Sequence, residues 1–181
     1  MFFGHRLTSL APVFMALAIG AGPTTAENHD ADDHDGHDSH GESRADHHLA
    51  VSDQLRVLHG WTRATDHDHA RVFMEIENIA DAPVRLTGGR SPIAANVELV
   101  GFSLVEGEGV YEPVSDVPVM PGRDLVLAPQ ALALALEDIE GPLIEGSAFP
   151  LALTTDRGRV EMTIVVEAAD AQQHSHAGHA H

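Results

Sequence analysis

One stretch limits the possible folds more than any other: residues 127–137, Leu-Ala-Pro-Gln-Ala-Leu-Ala-Leu-Ala-Leu-Glu. Side chains alternate along a strand with a period of two, so Leu132, Leu134 and Leu136 share one face and Ala131, Ala133 and Ala135 the other. The leucine face is ordinary core. The alanine face is small and apolar rather than polar, so either something covers it or something that once stood there has been trimmed away.

The neighbouring sequence agrees. Short apolar runs, separated by glycine, proline and acidic turns, predict strands over 55–63, 71–77, 84–87, 96–104, 110–112, 124–127, 131–137, 149–154 and 159–166. In the second run Val72, Met74 and Ile76 alternate with Phe73, Glu75 and Glu77. In the last, Val160, Met162, Ile164 and Val166 alternate with Glu161, Thr163, Val165 and Glu167. Asp156-Arg-Gly-Arg159 marks a hairpin turn between the final two runs. No run of ten or more residues carries a helical stripe. Residues 54–167 therefore read as an all-β domain, a β-sandwich.

The flanks have a different character. Residues 1–26 read as a signal peptide: His5 and Arg6, an apolar run from Leu10 to Ile19, and Thr24 and Ala26 as the small residues of a cleavage site. That run is shorter than the roughly 20 residues of a spanning helix, and Gly20, Gly22 and Pro23 interrupt it, so no stable membrane span is expected after cleavage. Residues 27–53 form an acidic, histidine-rich segment with almost nothing to bury, expected to be a disordered tail. Residues 168–181 make a second tail of the same kind. The chain is therefore expected to be exported, to the periplasm.

Charge and cysteine content exclude several classes. The net charge is −18, with ten arginines and no lysine, which argues against nucleic acid as a partner and favours cations. With no cysteine there can be no disulfide, thiolate metal site or cysteine nucleophile. No catalytic constellation or phosphate loop appears, so the chain does not read as an enzyme.

Histidine is the outlier. Six of the 14 lie in the first tail (His29, His34, His37, His40, His47, His48) and four in the second (His174, His176, His179, His181). Neutral imidazole is the commonest protein ligand for zinc, copper and nickel. The first tail's aspartates add oxygen ligands and a negative field. His67 and His69, in Thr-Asp-His-Asp-His, make a third cluster, read either as a chelating loop or as a polar turn. His59 reads as a core or edge residue, and Met120 is the only methionine considered as a ligand.

The central segment resembles the PCu(A)C family of periplasmic copper chaperones. The resemblance rests on Gly60-Trp-Thr-Arg-Ala64, Val72-Phe-Met-Glu-Ile-Glu-Asn78, Ser91-Pro-Ile-Ala-Ala-Asn-Val-Glu-Leu99, Leu127-Ala-Pro129, Gly141-Pro-Leu-Ile-Glu-Gly146 and Phe149-Pro-Leu-Ala-Leu153, in that order. It implies a cupredoxin-like β-sandwich. It also implies four copper-ligand positions, which here hold Val100, Tyr111, Ala133 and Ala135. The spacing is kept and the histidines and methionines are gone, so these four are not expected to bind metal.

Two functions are expected from this reading. The first is an exported, copper-chaperone-like protein that buffers or delivers copper or zinc through its histidine-rich tails, exchanging metal with a periplasmic donor or acceptor protein. The second is a metal-independent interaction module, with the vestigial site as an apolar contact surface.

Overall fold

Every period-two run of the central segment is a strand in the computed structural model, which describes residues 49–175. All of these belong to one compact unit, Gly41–His181; the other unit, Met1–His40, lies outside the described residues. The eleven strands are β1 (Leu49–Val51), β2 (Leu55–Arg63), β3 (Ala70–Asn78), β4 (Val84–Arg90), β5 (Ala94–Val105), β6 (Glu108–Pro113), β7 (Val117–Val119), β8 (Asp124–Leu127), β9 (Leu132–Ile139), β10 (Ala148–Thr155) and β11 (Gly158–Glu167). No helix occurs among the described residues. Two strands are additions to the expected set. β1 falls in the segment expected to be a disordered tail, and β7 is only three residues long with Pro118 in its middle.

Hydrogen bonding runs through one continuous sheet in the order β6-β5-β9-β8-β3-β2-β11-β10-β4-β7, with β1 added to β2 and β9 also pairing β3. The sheet folds over itself, so strands far apart in this order meet face to face. A Cβ added to Gly89 of β4 would stand 3.0 Å from Val97 Cγ1 of β5. Leucine, isoleucine and valine from both halves then enclose one core, including Leu55, Val72, Ile76, Leu86, Leu99, Leu134, Leu136, Leu151 and Ile164. The leucine face of β9 enters this core as its alternation requires. The last two strands form the expected hairpin, with Thr155 opposite Gly158.

β2 departs from simple alternation, and the departure builds the rest of the molecule. Leu58 pairs with Glu75, but Trp61 pairs with Phe73, so three steps on β2 match two on β3. This is a β-bulge, with one extra residue on one strand. His59 sits in it with φ at +53°, a left-handed conformation unusual for a non-glycine residue. Gly60 follows, where a Cβ would lie 2.4 Å from the Met162 methyl and 2.7 Å from Ile164 Cδ1. Leu55 and Val57 before the bulge face the main core. A one-residue slip changes the face of every later side chain. Trp61 is thus turned to the outer face of the sheet, beside Phe73.

Candidate functional site

Ala133 and Ala135 leave β9 on the face opposite its leucines, and Val100 lies across from Ala133 on β5. With Trp61 and Phe73 they form a second, smaller apolar cluster. Trp61 and Phe73 pack with ring centroids 4.8 Å apart. Ala133 is 0 % exposed, Val100 5 % and Ala135 7 %. Tyr111 of β6 and Ala171 of the C-terminal segment pack against this cluster from outside. The sequence arguments therefore bring all four vestigial positions to one place. They do not make it an apolar contact surface, because its three aliphatic members are covered. That expectation is corrected by the burial of Val100, Ala133 and Ala135.

Arg71 closes the cluster on one side. It pairs across strands with Ala135, and its guanidinium carbon lies 4.1 Å from the centroid of the Tyr111 ring. The Thr62 hydroxyl donates to the Arg71 carbonyl at 2.8 Å and holds that stretch of β3 in place. Tyr111 is fixed in turn: its hydroxyl accepts from the Gln130 N–H at 2.9 Å. Beyond Arg71 a groove of about 930 Å³ opens, walled by Arg63, His67, His69, Phe73, Leu143 and Ile144 among others.

The four positions offer no site for a soft metal ion. Valine and alanine have no donor atom, and the tyrosine oxygen already accepts a hydrogen bond. Copper(I) wants thioether, thiolate or imidazole ligands. The residues present do not fit it.

His67 and His69 stand exposed beside the groove, their rings nearly parallel with centroids 5.4 Å apart. His69 Nδ1 lies 3.1 Å from Asp68 Oδ1, and that contact holds the Asp68 carboxyl below its ordinary range. Among the described residues, no group of three or more histidine, aspartate or glutamate side chains is arranged to hold a metal ion.

His174 needs a correction. It was expected in a solvated tail over 168–181, yet it is 2 % exposed. Its Nδ1 lies 2.6 Å from Glu167 Oε1, and its ring centroid is 5.6 Å from that of His59. The Ser175 N–H and hydroxyl donate to the same Glu167 oxygen at 3.1 and 2.9 Å. Burial pushes the Glu167 carboxyl up, but the Ser175 donors and His174 outweigh it, and the net shift is downward. Arg63 Nε donates to the Ala171 carbonyl at 2.6 Å. Residues 168–175 therefore follow the sheet rather than leave it. Neither His174 nor His59 carried any sign of this in the sequence. His59 Nδ1 also lies 3.9 Å from Glu75 Oε1. Met120 is half-exposed in its turn.

His29, His34, His37, His40, His47, His48, His176, His179 and His181 lie outside the described residues, as does the expected signal peptide.

Solved PCuAC domains are similar to this chain. The apo PCuAC domain of PmoF2 is 26 % identical, with a TM-score of 0.57, covering 70 % of this chain and 99 % of its own. The copper-bound PCuAC domain from PmoF2 is 25 % identical, with a TM-score of 0.56, covering 67 % and 98 %. The apo PCuAC domain from PmoF1 is 22 % identical, with a TM-score of 0.57 and 67 % and 99 % coverage, a likeness of fold. No curated protein sequence matches. The family described as LpqE-like, a lipoprotein family, matches residues 55–166. That match takes in more than half of the chain and runs from the first residue of β2 to the penultimate residue of β11. On a PCuAC-type, cupredoxin-like β-sandwich, this chain belongs to the LpqE-like family.

Proposed function

We propose that this chain is an exported metal-binding protein of the copper-chaperone kind, which buffers or hands over copper or zinc through its histidine-rich ends. One observation carries the reading. The fold is similar to a PCuAC domain solved with copper, the four positions that the sequence resemblance gives to ligands hold Val100, Tyr111, Ala133 and Ala135, and ten of the 14 histidines lie in residues 29–48 and 174–181.

The ligands are His29, His34, His37, His40, His47 and His48 at one end and His176, His179 and His181 at the other, with His67 and His69 as a further pair. His174 joins them only if it leaves Glu167. Imidazole and carboxylate donors without thioether sulfur suit Zn(II) and Cu(II). Ligands spaced along a chain bind and release one at a time, so metal passes to a periplasmic acceptor protein by stepwise exchange. Residues 1–26 support export, and the family's description as lipoproteins points the same way. None of the 181 residues is a cysteine that could carry a thioether-linked lipid.

The test compares metal titrations of the chain from residue 27 with a version lacking 27–48 and 176–181. Those cuts spare β1 and the docked segment 168–175. Stoichiometry for Cu(II) or Zn(II) is expected to fall to that of the His67–His69 loop or below, and unchanged stoichiometry refutes the reading. Because the bound imidazoles must be unprotonated, binding is expected to weaken below about pH 6, near the free histidine value of ~6.5.

A further inference from the structure

The place where the resemblance puts copper has gained a charge as well as lost its ligands. Arg71 touches two of the four positions: it pairs across strands with Ala135, and its guanidinium lies over the ring of Tyr111. A guanidinium is protonated throughout the physiological range. A cation placed there would meet a fixed positive charge; an anion would be attracted.

A second observation concerns the same side chain. Arg71 Nε is buried and makes no hydrogen bond, whereas Arg63 Nε on the neighbouring strand donates to the Ala171 carbonyl. Nε itself is closed to solvent, and no carboxylate among the described residues pairs with this guanidinium, so its charge is left for an oxyanion in the groove to offset. Arg71 forms part of the wall of the 930 Å³ groove, a volume in the range of small-molecule sites. Phe73, Tyr111, Leu143 and Ile144 give the groove an apolar lining. Its acidic members, Asp66 and Glu145, are both exposed.

We propose that this groove binds a small organic carboxylate, its charged end paired with Arg71 and its apolar body against Phe73, Tyr111 and Leu143. A carboxylate fits better than a phosphate because a chain of net charge −18 opposes a dianion more than a monoanion. This site does not use the histidine-rich ends; His67 and His69 stand in its wall, so its binding is expected to persist when metal is removed from them.

The experiment is calorimetry of the full chain with benzoate, with benzamide as its neutral counterpart, and with inorganic phosphate, each without and with a chelator. Emission from Trp61, the only tryptophan, gives a second readout beside Phe73. Benzoate is expected to bind saturably, with benzamide and the Arg71→Gln variant about tenfold weaker or more. Arg56→Gln, which breaks an exposed pair with Glu77 on the same two strands, is expected to change nothing. Arg71→Lys keeps the charge without the Nε fork and is expected to fall between wild type and Arg71→Gln. Equal binding of benzoate and benzamide, tighter binding of phosphate, indifference to Arg71→Gln, or no saturation by benzoate each overturns the proposal. So does benzoate binding that vanishes when chelator is added, since that would make a tail-bound metal the receptor.

Discussion

β9 separates two apolar regions that follow different rules. On one side Leu132, Leu134 and Leu136 meet a core of branched aliphatic side chains drawn from both halves of the folded sheet. On the other, Ala133 and Ala135 meet Trp61, Phe73 and Val100, with Tyr111, Arg71 and Ala171 around the edge. The first region is dry and made of interchangeable parts, which is what holding a sandwich together requires. The second mixes small residues with aromatic ones and ends at an arginine and a groove. Its contents are specific, and they include the four positions that the family resemblance gives to copper ligands.

The largest test of that contrast is Leu134→Ala. Leu134 is fully buried in the main core, so the loss is expected to be about 2–5 kcal/mol, measured by urea unfolding. The adjacent Ala133→Leu asks whether the small cluster is equally tight. Ala133 is also fully buried, and overfilling its site is expected to cost about 1–3 kcal/mol. A neutral or stabilising Ala133→Leu would show instead that the cluster is loosely packed, and the contrast would shrink to composition alone.

The smallest expected effect is at the C-terminal edge of the cluster. Glu167 has its carboxyl held below the ordinary value of 4.5 in the folded state. A carboxyl with a lowered folded pKa binds fewer protons folded than unfolded, so it adds stability above about pH 4.5 that is lost as pH falls through the folded value. Wild type is thus expected to lose stability on acidification more steeply than Glu167→Gln, with the two curves converging at the acid end. Parallel curves would mean that Ser175 and His174 do not stabilise the ionised carboxylate.

Much of this was legible in the sequence because alternation is a local property. The 55–63 and 124–127 runs became β2 and β8 with the same bounds, and the two faces of β9 are those its leucines and alanines required. Val100, Tyr111, Ala133 and Ala135, expected as one group from the resemblance, converge because β5 pairs with both β6 and β9. β7 was missed because three residues around a proline give no periodic signal. The burial of His174 was missed because its neighbours, Gln172, Gln173, Ser175 and His176, are all polar, and its partner Glu167 lies seven positions earlier, at the end of β11.

Sequence by itself determined the strands, the all-β class, the absence of copper ligands at Val100, Tyr111, Ala133 and Ala135, and the crowding of histidine at the ends. Those follow from residue identity and short-range period. Tertiary structure decided what surrounds these four residues. The bulge at His59 and Gly60 turns Trp61 from the core face to the outer one, and simple alternation would have put it beside Leu55 and Val57. The pairing of β3 with β9 sets Arg71 against Ala135, and the hairpin of β5 and β6 brings Tyr111 under its guanidinium. Each of these contacts joins residues distant in sequence. Their partners depend on a phase shift and on strand pairings that no local pattern encodes.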